Sequence, residues 1–163
     1  MKFRETIRHS LPADRVLRAY ANPDFYPAKY AATDGRDIRV LDTGNDDGQF
    51  HIRVSRKVPA DIPVPAFARS WFPQEITLIQ TDRWDRASGT GSVAIEFVGL
   101  PVRIDCGLAL SGEGDRMVET LDFEIRVDMP LVGCKLAKLL AEDLQLKFAK
   151  DTEATLALLP EFG

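Results

Sequence analysis

After Met129-Pro130 the sequence turns helical for almost thirty residues, the longest regular stretch in the chain. Val132, Leu136, Leu140, Leu144 and Phe148 recur every four residues with Leu139 beside them, whereas Lys135, Lys138, Glu142, Lys147 and Asp151 fall on the other side. This spacing predicts a helix from near Leu131 to Pro160, about 40 Å long at ~1.5 Å per residue. An isolated helix of one apolar face gains its stability by burying that face. Whatever else the chain forms must supply a surface of matching length. Asp143 with Lys147, and Lys147 with Asp151, stand four residues apart and are expected to pair on the solvated side.

The preceding segment supplies such a surface. Residues 38–41 and 50–58 flank Thr43-Gly44-Asn45-Asp46-Asp47-Gly48, a run of turn formers that predicts a hairpin with Phe50, Ile52 and Val54 on one face. Residues 75–84 and 92–98 flank Ser88-Gly89-Thr90-Gly91, and residues 102–110 follow Gly99-Leu100-Pro101. In residues 116–128, Leu121, Phe123, Ile125 and Val127 alternate with Thr120, Asp122, Glu124 and Arg126, the pattern of a half-buried strand. Residues 3–9 read as a first strand. Two short helices follow, 12–20 with Ser10 as its cap and Asp14 in its first turn, then 24–32 packed by Phe25, Tyr26 and Tyr30.

The predicted class is α+β: one strand, two short helices, six strands and a long helix, with a seven-stranded curved antiparallel sheet wrapped around the C-terminal helix. At 163 residues the chain is expected to form a single domain over 1–163. This element order, with Ile7-Arg8-His9-Ser10-Leu11-Pro12-Ala13-Asp14-Arg15-Val16 running from strand into helix around a proline, resembles the START-like (SRPBCC, helix-grip) superfamily. Within it the chain is similar to an uncharacterised bacterial branch, a domain of unknown function. The resemblance implies a cavity between sheet and C-terminal helix, used by different members for lipids, sterols, aromatic polyketides or plant hormones.

Several functions are excluded or disfavoured by simple counts. A net charge of −4 with no basic block gives no general attraction to nucleic acid. No apolar run approaches the ~18 residues of a membrane span and no signal peptide is legible, so a cytoplasmic protein without integral membrane association is expected. Cys106 and Cys134 are expected to be reduced and buried, with Cys134 inert beside Leu131 and Leu136. His9 and His51 have no second ligand at metal spacing, and no phosphate loop, dinucleotide fingerprint or nucleophile elbow is present. No cofactor or metal is expected, and the sequence carries no signal of oligomeric state.

Three places are candidates for function. Gly133, Ala137 and Ala141 form a stripe of small residues beside Leu136 and Leu140; they either floor a pocket or let the helix approach the sheet, and the resemblance favours the pocket. The connection 59–73, stiffened by Pro59, Pro63 and Pro65, is long for a hairpin, and a helical turn over 66–72 would present Phe67 and Trp71 together. It is a gate or docking surface, or its aromatics anchor the loop to the core; the tendency of aromatics to bury favours the anchor. Glu119 shares parity with Leu121 and Phe123, so its carboxylate turns inward as a ligand anchor or general acid, or reaches water at the strand end. The turn just before it favours water.

The expected ligand-binding set is therefore Gly133, Ala137, Ala141, Leu136, Leu140, Phe67, Trp71, Glu119, Phe123 and Tyr30, with no catalytic residue assigned. The leading expectation is carriage or sensing of a hydrophobic small molecule or lipid. A cyclase, aromatase or dehydratase-like enzyme is the alternative, marked by inward polar groups around Glu119 with Tyr26 or Tyr30. A protein-interaction module without an open cavity is the third reading.

Overall fold

The computed structural model describes residues 1–62 and 64–163. Pro63, one of the prolines expected to stiffen the long connection, lies outside them. The elements are β1 (Lys2–His9), α1 (Ala13–Ala21), α2 (Phe25–Ala32), β2 (Arg36–Asn45), β3 (Gln49–Pro59), a 3₁₀ helix (Ala66–Trp71), β4 (Glu75–Asp85), β5 (Thr90–Phe97), β6 (Val102–Glu113), β7 (Arg116–Val127) and α3 (Gly133–Phe162). The strands form one antiparallel sheet in the order β1-β7-β6-β5-β4-β3-β2. β2 to β7 follow one another as a meander, and β1 returns to pair with β7 through Ile7 opposite Glu119 and Phe3 opposite Phe123. The seven-stranded helix-grip architecture is as the pattern predicts.

The strands alternate because each has one wet face and one face turned to the helices. β7 buries Met117, Glu119, Leu121, Phe123 and Ile125; β4 buries Ile76, Leu78, Gln80, Asp82 and Trp84. The β6–β7 hairpin turns tightly on Gly112 and Gly114, whose φ of 123° and 57° suit glycine. α1 starts differently from expectation. Ser10 makes no capping bond; Pro12 is the cap residue, and its carbonyl accepts from the amides of Arg15 and Val16.

α3 begins two residues later than its periodicity suggests. Leu131 sits in the left-handed region at φ 69° and is fully exposed, so the chain turns here before the helix starts. Gly133 then lies against the Val127 carbonyl, where a Cβ would collide. This turn also corrects the reading of Cys134, which is exposed because Gly133, not Cys134, faces the sheet. Cys106 is buried as expected. Leu136, Ala137, Leu140 and Ala141 are buried, and the far end of the helix packs Leu159 and Phe162 into the core, Phe162 edge-on to Phe25 at 5.8 Å.

Candidate functional site

Between the inward face of the sheet and the middle of α3 lies a cavity of about 400 Å³. Its apolar lining includes Ile7, Val93, Ile95, Leu108, Leu121 and Phe123 from the sheet, and Leu144 and Phe148 from α3, with Phe25 and Trp84 on the opposite side. Polar side chains from several strands and helices stand among them. β1 and β7 are in register so that Ile7 faces Glu119, which puts His9 two residues along on the same face. Glu119 is only 3% exposed, which corrects the expectation that it reaches water at a strand end. Its Oε2 accepts the Tyr20 hydroxyl at 2.7 Å and lies 2.9 Å from His9 Nε2. Both contacts use the same oxygen, so Oε1 keeps no protein partner among the described residues. Burial, then the Glu119 charge, raise the Tyr20 phenol far above its usual range, so it stays a donor.

A second carboxyl, Asp82, comes from β4. Gln80 Nε2 donates to it at 2.9 Å, and the Tyr26 hydroxyl also stands beside it. Burial pushes the Asp82 carboxyl up to about 6, against the opposing pull of the Gln80 bond, Lys29 and Arg56. Burial also pushes the Cys106 thiol on the cavity wall up to about 12, which leaves it unreactive.

Arg56 of β3 stacks its guanidinium over the Tyr30 ring, 3.8 Å from the centroid. The Tyr30 hydroxyl and Arg56 Nη1 are both buried without a protein partner. At the outer edge, α2 and the turn after it are tied to α3 by Lys29 with Asp151 at 3.0 Å and by Asp34 with Lys150 at 2.9 Å. Asp151 thus pairs across helices and not with Lys147, whose partner is Asp143 at 2.8 Å.

Of the residues expected to bind ligand, Glu119, Phe123 and Tyr30 line this cavity. Gly133, Leu136, Ala137, Leu140 and Ala141 are absent from its lining and are packed into the interior on the α3 turns that precede it. Gly133 brings the helix start against the backbone of β7, and Ala137 and Ala141 are buried behind it. Phe67 and Trp71 do meet, edge to face at 6.2 Å, but on the outside, 48% and 45% exposed, and away from the cavity lining. Phe72 is the loop aromatic that packs against the core.

His9, Tyr20, Arg56, Gln80 and Asp82 were not singled out by the sequence, although for the four on strands a signal was there. Arg56 has the parity of Phe50, Ile52 and Val54; Gln80 and Asp82 have that of Ile76, Leu78 and Trp84; His9 has that of Ile7. A polar residue on the apolar parity of its strand marks the site in each case.

An antiparallel sheet gripping a C-terminal helix around an internal cavity is the helix-grip fold. The sequence matches the family model described as a protein of unknown function (DUF2505) over residues 4–159, and the chain belongs to that family. No curated protein matches it. Among solved structures it is similar to a protein of Thermus thermophilus (13% identity, 99% of this chain and 98% of that one, TM-score 0.67). It is also similar to the Zhui aromatase/cyclase of Streptomyces sp. R1128 (14%, 98% and 93%, TM-score 0.62). A START superfamily protein of Mycobacterium smegmatis matches with 17% identity over 97% and 98% at a TM-score of 0.59. These likenesses establish the fold. No helix among the described residues is long and apolar enough to cross a membrane.

Proposed function

We propose that this protein binds a small amphipathic molecule inside the cavity, its hydrophobic body against the β5–β6–β7 wall and its polar end among the buried side chains of β3, β4 and α2. The supporting observation is the cavity itself: about 400 Å³ of space with an apolar wall facing a polar one. That volume is at the lower end of the roughly 300–1,000 Å³ usual for small-molecule sites, which suits a single acyl chain or a compact ring system. Burying such a body yields about 25 cal/mol per Å² of apolar surface, the main source of affinity in this reading. Carriage or sensing needs nothing more. Native mass spectrometry of the purified protein is the direct test: a bound mass that is lost on denaturation and recovered by organic extraction is expected. A bare protein that also takes up no hydrophobic probe would refute the reading.

Glu119 favours a second reading, an enzyme of the cyclase or dehydratase kind. One of its oxygens is held by Tyr20 and His9 while the other is left for a ligand, the arrangement of a positioned proton acceptor. The likeness to an aromatase/cyclase fits this reading at the level of fold. The two readings separate on Glu119→Gln: an enzyme would accumulate a bound species of different mass from the wild type, whereas a carrier would retain the same one.

A further inference from the structure

Most buried polar groups of the cavity can be matched donor to acceptor, with Glu119 Oε1 the carboxylate oxygen that no protein donor meets. Glu119 takes the Tyr20 hydroxyl and His9, while Asp82 takes Gln80, with Tyr26 alongside. Each carboxyl has its own donors. Among the lining residues two donors are left over, the Tyr30 hydroxyl and Arg56 Nη1, and both are buried without a partner. His9 Nδ1 and the Thr152 hydroxyl also lack partners, but neither residue lines the cavity. The two leftover donors belong to side chains that stand together, because the guanidinium lies over the Tyr30 ring. Arg56 forms no ion pair among the described residues, whereas Lys29, Lys147 and Lys150 around the same cavity each have one. A buried donor left unmade costs free energy, and more when it is charged. Both side chains line the cavity, so a bound molecule can supply the missing acceptor.

From this leftover pair we infer that the ligand carries a carboxylate, received by Arg56 and the Tyr30 hydroxyl. The inference rests on the small-amphiphile reading above and adds the chemistry of the polar end. A guanidinium presents several N–H groups in a planar fork that suits a carboxylate. One arginine and one phenol match a single negative charge. Neither Asp82 nor Glu119 forms an ion pair with Arg56; their side-chain hydrogen bonds run to Gln80, and to Tyr20 and His9. Burial raises the Tyr30 phenol far above its usual range, so it remains a neutral donor at any working pH.

The test uses two matched pairs of probes, decanoic acid with 1-decanol and 2-naphthylacetic acid with 2-naphthylethanol, titrated calorimetrically at pH 8. In at least one pair the acid is expected to bind about tenfold or more tightly than its alcohol, the size of one charge-assisted hydrogen bond. Arg56→Met keeps the aliphatic stem over the ring, and Tyr30→Phe keeps the ring itself; either change should close the gap between acid and alcohol. Thermal melts of both variants report whether they fold, and the wild-type comparison decides the matter if one does not. Acid and alcohol binding equally well would overturn the carboxylate inference while leaving the small-amphiphile reading in place. If neither member of either pair binds, both are overturned.

Discussion

Over residues 133–141, α3 buries Leu136, Ala137, Leu140 and Ala141, with Gly133 against the backbone of β7; over residues 144–155 the same helix lines a 400 Å³ cavity with Leu144, Lys147, Phe148, Asp151 and Thr155. The backbone is continuous, so the difference lies in the side chains and in what faces them. Small residues in the first stretch bring helix and sheet together and the leucines fill what remains. In the second, Asp151 and Lys150 turn to partners on α2 and the turn after it, Lys147 reaches the Asp61 carbonyl, and the sheet opposite contributes Arg56, Gln80 and Asp82. Polar groups that must keep hydrogen-bonding partners cannot be packed like leucines. The first stretch is packed into the core and the second borders the cavity.

The largest test of this contrast compares two leucines. Leu136→Ala should cost about 2–5 kcal/mol of unfolding free energy, the range for a fully buried leucine, while Leu144→Ala beside existing space should cost less than about 2 kcal/mol. Equal losses in urea titrations would erase the distinction between the two stretches.

Asp82 gives the next effect. Its carboxyl titrates near 6 in the fold against an ordinary value of 3.8, so the folded protein holds this proton more tightly than the unfolded chain. As pH rises from about 4 to about 6 the unfolded chain releases its proton first and stability falls, by roughly 3 kcal/mol. Asp82→Asn removes that loss. Its stability advantage over the wild type should be small at pH 4 and grow to a plateau above pH 6; an advantage that does not change with pH would contradict the burial argument.

Gly133→Ala probes the close approach. Alanine is the better helix former by about 1 kcal/mol, yet its Cβ would strike the Val127 carbonyl, so a net loss of about 1–3 kcal/mol is expected. A gain would mean that the helix start can shift freely. The smallest effect on stability belongs to Val93→Phe, which adds volume inside the cavity and should change the unfolding free energy by less than about 1 kcal/mol. It should nonetheless remove the bound mass from native spectra. Retention of that mass would place the ligand elsewhere.

The sequence alone made the long helix, the meander and their combination legible, because periods of about four and of two report directly which faces are buried. The alternation in β7 even aimed Glu119 inward, and the turn before it argued wrongly for water. The small-residue stripe shows the limit of such reading. Gly133, Ala137 and Ala141 are compatible with a gap or with contact, and the distance between helix and sheet decides which.

That distance, and the gathering of Tyr20, Asp82, Arg56 and Glu119 around one space with His9 behind Glu119, were decided only by tertiary structure. These residues belong to five elements, and their proximity follows from β1 closing on β7 and from the helices packing across the sheet. A local period records that a side chain points inward; it carries no information about which inward side chain of another element it will meet. The fold was therefore written in the pattern of the chain, whereas the polar wall of the cavity exists only once the sheet has curved around the helix.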